Sequence, residues 1–202
     1  MHHVGILAYG SVIEDPGIEI GPVVGRRITG VMTPFRVEFA RKSKTRGGAP
    51  TLVPVATAGS QVTATILVLK DEVDEPTAAD MLWRRETGLV RTNRRYSRPQ
   101  SPGPDDVLVE ILDNFRRIRV VLYAKISPNL VDPKPEILAE LAIASANGPP
   151  GDEGRDGISY LLSVQRAGIV TPLLEKYEKE VLRRAGADSL EEARQSSRRV
   201  PH

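Results

Sequence analysis

The feature that most limits what this chain can fold into is a change of character near residue 126. Before it, short apolar runs alternate with clusters of turn-forming residues; after it, apolar residues recur at helical spacing. Candidate strands fall at 4–9, 22–31, 34–40, 51–57 and 61–70, with Gly, Pro and Asp between them. The run 61-QVTATILVLK-70 combines β-branched residues with partial alternation, as a strand requires. Pro76, followed by Met81, Leu82 and Trp83, predicts a helix over 77–85, and 97-SRPQSPGPDD-106 is a loop. The segment 118-IRVVLYAKI-126 is a late strand. Pro135 then precedes a helical stretch at 136–146, and 147-NGPPGDEGRDG-157 reads as a loop. Asp156 is placed to cap a helix over 157–165, Thr171-Pro172 to open one over 173–185, and Ser189 with Glu192 forms a capping-box pattern. Residues 196–202 are expected to be frayed. Strands first and helices later predict an α+β fold: a small, closed or nearly closed mixed β-barrel with helices around it. At 202 residues the chain fits one domain, with a barrel core over about 1–126 and a helical part over about 134–195.

Several chemistries are excluded by what is missing. With no cysteine there is no disulfide, thiol nucleophile or cysteine-based metal site. The histidines, His2, His3 and His202, lie at the termini, which argues against a histidine triad or a histidine-rich metal centre. No Walker or dinucleotide-binding pattern occurs, and 46-RGGAP-50 follows a basic strand, so it reads as a tight loop between strands. The opening 4-VGILA-8 is too short for a signal-peptide core, and no apolar run approaches membrane-spanning length. A cytoplasmic protein without membrane contact is expected.

The net charge of +2 hides strong local asymmetry. Arg84, Arg85, Arg91, Arg94, Arg95 and Arg98 surround a single acid, Glu86, in 84-RRETGLVRTNRRYSR-98, and a second basic stretch runs through Arg36, Arg41, Lys42, Lys44 and Arg46. Such fields favour anionic partners, whether small carboxylates or nucleic acid, although a solvated charged face accounts for many of the arginines equally well. Against nucleic acid, aromatic residues are scarce and 26 acidic residues nearly balance 28 basic ones. Upstream, the first apolar strand ends in Tyr9-Gly10-Ser11. A glycine there tolerates a sharp bend, and successive N–H groups in such a turn can receive a carboxylate or oxyanion. Strand–Gly–Ser turns are also common with no such role, and a glutamate beside arginines is usually a surface ion pair. Taken singly, each feature leaves both readings open.

Together and in order, these pieces resemble the γ-glutamylcyclotransferase-like proteins, most closely the ChaC-like, glutathione-degrading branch. Four segments carry the resemblance. Tyr9-Gly10-Ser11 is similar to that family's YGS loop. Phe39, Ser43, Arg46-Gly47 and Pro50 look like its F-x-x-x-S…R-G…P segment. Arg85-Glu86, Gly88 and Arg91-Thr92 match its R-E-x-G-x-x-R-T string, the most specific of the four. Gly154-Arg155-Asp156 with Tyr160-Leu161 looks like its G-R-N-x-x-x-Y-L helix opening. The similarity spans about residues 4 to 182.

The resemblance implies a barrel of that family's type, with Glu86 as the catalytic acid and base and Tyr9, Gly10, Ser11 and Val12 as the substrate-cradling loop. It adds Ser43, Arg46 and Tyr160 as substrate contacts and calls for neither metal nor organic cofactor. The implied reaction is cyclisation of a γ-glutamyl group, from glutathione or a related amide, to 5-oxoproline with release of the amine half. The chain departs from the pattern in three places. Val12-Ile13-Glu14 stands where Leu-Ile-Trp is usual, Leu89-Val90 replaces Gly-Tyr, and the Ser43-to-Arg46 spacing is one residue short. The lost aromatic wall motivates a second reading, a non-catalytic module that binds a small acidic ligand or a protein partner on the same fold.

Overall fold

The computed structural model describes residues 3–197, which form two compact units, each assembled from two stretches of sequence. The first contains the chain through Thr33 and Thr63–Ser127; the second contains Pro34–Val62 and the chain from Pro128. In chain order the elements are β1 (Val4–Ala8), α1 (Gly17–Ile20), β2 (Val24–Met32), β3 (Arg36–Ser43), β4 (Ala49–Val55), β5 (Thr63–Leu69), α2 (Glu75–Thr87), β6 (Leu108–Asp113), β7 (Val120–Lys125), α3 (Pro135–Ala146), α4 (Pro149–Asp152), α5 (Gly157–Arg166), α6 (Leu174–Ala185) and α7 (Leu190–Ser197). The fold is α+β, as expected.

The first unit is a five-stranded mixed sheet in the order β2-β5-β1-β7-β6. Its central strand, β1, runs antiparallel to β5 and parallel to β7, so that Ile6 faces both Leu67 and Leu122. All five residues of β1 are buried, which explains why the strand is apolar throughout instead of alternating. Val4, Ile6 and Ala8 share one face through the two-residue period and pack with Leu67, Leu69, Val120 and Leu122 against Ala78 and Leu82 of α2. Burying a leucine as fully as Leu82 contributes about 2 kcal/mol.

Local chemistry fixes both ends of α2. Asp74 caps it by accepting from the Thr77 N–H at 2.9 Å, and Pro76 sits in the first turn where no amide donor is needed. At the far end the Leu89 and Gly88 N–H groups return to the carbonyls of Arg84 (2.8 Å) and Arg85 (3.4 Å). That closure needs the left-handed conformation that Gly88 adopts, with φ of 72°.

The second unit pairs β3 with β4 in an antiparallel hairpin and adds α3 to α7. The hairpin thus groups with the helices and not with the five-stranded sheet. Phe39 sits at its centre, edge-on to Tyr160 and Tyr177 with ring centroids 6.5 and 5.1 Å away. Helix α5 opens on Gly157 because a Cβ there would lie 2.7 Å from the Ala142 Cα of α3. Asp156 caps α5 through the Ser159 N–H at 2.8 Å, and Ser189 accepts from the Glu192 N–H at 3.2 Å to start α7.

Of the closed or nearly closed barrel expected, no closed barrel forms among the described residues. Closure would require β2 to meet β6, but these are the two ends of the ladder, and β3 and β4 pair with each other in a separate sheet. Three further elements were not anticipated: the short helix α1, β6, and the single turn α4 inside the stretch read as a loop. Of the tail expected to be frayed, Ser196 and Ser197 complete α7, and 198–202 lie outside the described residues. No described helix is long and apolar enough to cross a membrane.

Glu38 on β3 is a buried carboxylate, 2% exposed, whose two oxygens accept from the N–H groups of Phe39 (2.9 Å) and Leu173 (3.2 Å). Burial pushes its pKa above the ordinary 4.5, against the opposing pull of those donors. The folded chain therefore holds this proton to higher pH than the unfolded chain. Its contribution to stability is largest below pH 4.5 and declines as pH rises through the raised folded value. Urea unfolding at a series of pH values should show this decline in the native chain, and Glu38→Gln should flatten it.

Candidate functional site

Glu86 lies in the last turn of α2, and the sequence around it delivers both neighbouring arginines to α1 and its approach. The Arg85 guanidinium pairs with the Glu86 carboxylate. It also donates to the Asp15 carbonyl from Nη2 at 2.6 Å and from Nε at 3.2 Å, and its Nη2 comes within 3.5 Å of Ser11 Oγ. Neither partner is a freely solvated surface charge: the Arg85 side chain is 15% exposed and that of Glu86 26%. The Arg85 stem runs over Gly17, where an added Cβ would stand 3.2 Å from Cγ.

The Tyr9–Val12 segment is held at its other end by the sheet. Tyr9 leaves β1 extended, and its hydroxyl donates to the Ala124 carbonyl at the end of β7 at 2.8 Å. Gly10 then turns the chain with φ of 64° into a single 3-10 turn over Gly10–Val12, closed by Ile13 N–H to Gly10 O at 3.2 Å. The Asp15 N–H returns to Ser11 O at 3.0 Å, and Val12 packs on the apolar cluster beneath. Arg85 therefore ties the neighbouring Glu86 carboxylate to a serine hydroxyl and a backbone carbonyl that lie some 70 residues away in sequence.

A second clasp lies beside the first. Arg84 reaches Glu19 through Nε and Nη2, both at 2.8 Å, while the other Glu19 oxygen accepts from the Arg91 N–H at 2.7 Å. Arg84 Nη1 also donates to the Arg94 carbonyl at 2.8 Å. Part of the arginine run is thus structural, pinning the chain after α2 onto α1.

The remaining expected site residues belong to the second unit. Ser43 precedes the 3-10 turn Lys44–Arg46, and its hydroxyl is 3.1 Å from that of Thr45. Arg46 lies over the Tyr160 ring with 4.8 Å to its centroid and donates to the Arg155 carbonyl at 3.1 Å, while its own carbonyl accepts from Ser145 Oγ at 2.5 Å. The Tyr160 hydroxyl accepts from the Leu52 N–H at 3.2 Å. The fold thus brings Tyr9–Val12 together with Glu86 in one unit, and Arg46 together with Tyr160 in the other.

Arg85, Asp15 and Glu19 were not anticipated as parts of this arrangement. The available signal was the adjacency of Arg85 to Glu86. Nothing in the spacing showed that the backbone of Asp15 would receive the guanidinium. Among the described residues, no group of three or more His, Cys, Asp or Glu side chains could hold a metal ion. No family model matches the chain, and no curated protein matches it in sequence.

If Arg85 is the tie, replacing it with methionine keeps the stem over Gly17 and removes the charge-assisted bonds. Amide hydrogen exchange over residues 10–16 should accelerate while α2 stays protected, and stability should fall by about 1–2 kcal/mol in denaturant unfolding.

Proposed function

We propose that the chain is a cytoplasmic γ-glutamylcyclotransferase-like enzyme, acting on glutathione or a related γ-glutamyl amide to release 5-oxoproline and the amine half. The observation that carries this reading is the clasp just described. It holds a carboxylate, Glu86, beside the turn that bears Ser11, and it joins two of the four segments that carry the resemblance, 9–11 and 85–92. The two other resembling segments, around Arg46 and around Arg155 to Tyr160, also meet each other across more than a hundred residues. Segments that resemble a family and also fold against one another support the reading more than matching strings alone.

The chemistry asks little of the protein. The γ-glutamyl α-amine attacks the side-chain carbonyl of the same molecule, forming the ring C–N bond, and the original amide C–N bond breaks. The ammonium loses two protons in becoming the lactam N–H: one goes to solvent to free the attacking amine, and the other passes to the departing nitrogen, which leaves as the amine. Because nucleophile and electrophile are already tethered, holding the substrate folded is worth several kcal/mol of barrier, up to about 10 in favourable cases. Glu86 takes the proton and returns it to the leaving nitrogen. The Gly10–Val12 turn and Arg85 receive the glutamyl carboxylate or the tetrahedral oxyanion.

The same ion pair favours a second reading. A carboxylate already engaged by a guanidinium suits a binding module in which Arg85 receives an acidic ligand and no bond is broken. Purified protein incubated with a panel of γ-glutamyl compounds separates the two. The enzyme reading expects 5-oxoproline, with Glu86→Gln lowering the rate by about 10²-fold or more while the unfolding midpoint stays near that of the native chain. Release that is indifferent to the substitution removes Glu86 from the mechanism. Saturable binding of the panel without turnover selects the binding module.

A further inference from the structure

At the opposite end of α2 from Glu86, about 16 Å along the helix axis, the first unit contains a cavity of about 520 Å³. Its floor is one face of the β6–β7 ladder. Val109 and Ile111 are two residues apart on β6, and Ile111 is the cross-strand partner of Leu122. Val109 and Leu122 continue into the core beneath α2, but Ile111 is 48% exposed, a large aliphatic side chain that the first turn of α2 does not cover.

The walls divide into groups that are occupied and groups that are not. Asp74 is taken up by the helix cap. Asp80 accepts from the Tyr96 N–H at 2.6 Å, and the Tyr96 hydroxyl accepts from the Val109 N–H at 3.1 Å, which fixes the wall opposite the helix. Glu75 and Arg95 also line the cavity, and neither side chain makes a hydrogen bond or ion pair among the described residues. With Arg84 paired to Asp80 at 4.0 Å, three carboxylates face two guanidinium groups, which leaves the surroundings net negative by one. A single unengaged carboxylate above an aliphatic floor is a poor metal site. It suits a cation that also has an apolar body, and the volume lies within the range of small-molecule sites.

We propose that this cavity binds small primary amines with a branched aliphatic or aromatic body, with the ammonium on Glu75 and the body on Ile111, Val109 and Leu122. An apolar α-amino acid satisfies the same chemistry and brings a carboxylate for Arg95. The site is separate from Glu86 and does not depend on the reaction assigned there.

Two probes with the same body and opposite charge test it: 3-methylbutylamine and 3-methylbutanoate, titrated into the 15N-labelled chain. The amine should give saturable shifts at the amides of residues 75, 77–80, 95–96 and 109–111, and 3-methylbutanoate should give none there. Glu75→Gln should weaken the amine about tenfold. Ile111→Thr, which keeps a β-branched residue in the strand, should weaken it while leaving Glu75 in place. Dispersed spectra of both variants would show that the fold is retained. Leucine binding more tightly than leucinamide assigns Arg95 its carboxylate, and equal binding removes Arg95 from the site. Absence of saturable amine shifts, equal binding of 3-methylbutanoate, or an affinity indifferent to Glu75→Gln overturns the proposal.

Discussion

The first unit depends on the burial of β1 between two strands of opposite polarity. An antiparallel partner on one side and a parallel one on the other leave none of its five residues exposed, so the strand must be apolar throughout and cannot slip by a residue without breaking both ladders. Where β1 ends, the tyrosine hydroxyl bond to Ala124 and the left-handed glycine fix the exit of the chain. The candidate site is assembled at that exit, and Glu86 reaches it because α2 packs on the same sheet.

Electrostatics then does what apolar packing does not. Arg84 and Arg85 are consecutive, so on a helix they diverge by about 100°, and each engages a different part of the 15–19 segment. One takes the Asp15 carbonyl, the other the Glu19 carboxylate. In the second unit Arg46 plays a comparable part, joining a turn next to β3 to the start of α5 through a carbonyl and an aromatic face. Arg85 and Arg46 connect distant segments by bonding to backbone carbonyls and Arg84 by bonding to a carboxylate, which leaves fewer guanidinium donors open than the sequence count suggests.

Most of the elements were legible because local chemistry fixes them. Pro76, the Asp156 cap and the Ser189–Glu192 pair mark helix starts whatever the surroundings, and 61-QVTATILVLK-70 announces β5. What stayed hidden was set by partners. β6 follows a loop rich in proline and aspartate and carries no clear alternation: Val109 is buried while Ile111, on the same face, is exposed, and the strand is defined by its pairing with β7. Closure of the sheet is likewise a property of how its edges meet, which no single strand records. At the site, Tyr9, Gly10, Ser11 and Glu86 could be read as a group, whereas the role of Arg85 rests on a backbone carbonyl and leaves no trace in residue type.

The parallel pairing of β1 with β7 has a consequence for the order in which the chain can assemble. The Tyr9–Ala124 bond spans 115 residues, and between its ends lies a stretch, Pro34–Val62, that folds into the other unit. On the ribosome, one side of β1 must wait for more than half of the chain to emerge before its partner exists. During that interval an apolar strand presents unpaired backbone groups, the kind of edge that recruits other chains. Dependence on distant contacts also slows the closing step, so for a nascent molecule the hazard lies in that delay and the remedy in a transient cover for its first strand.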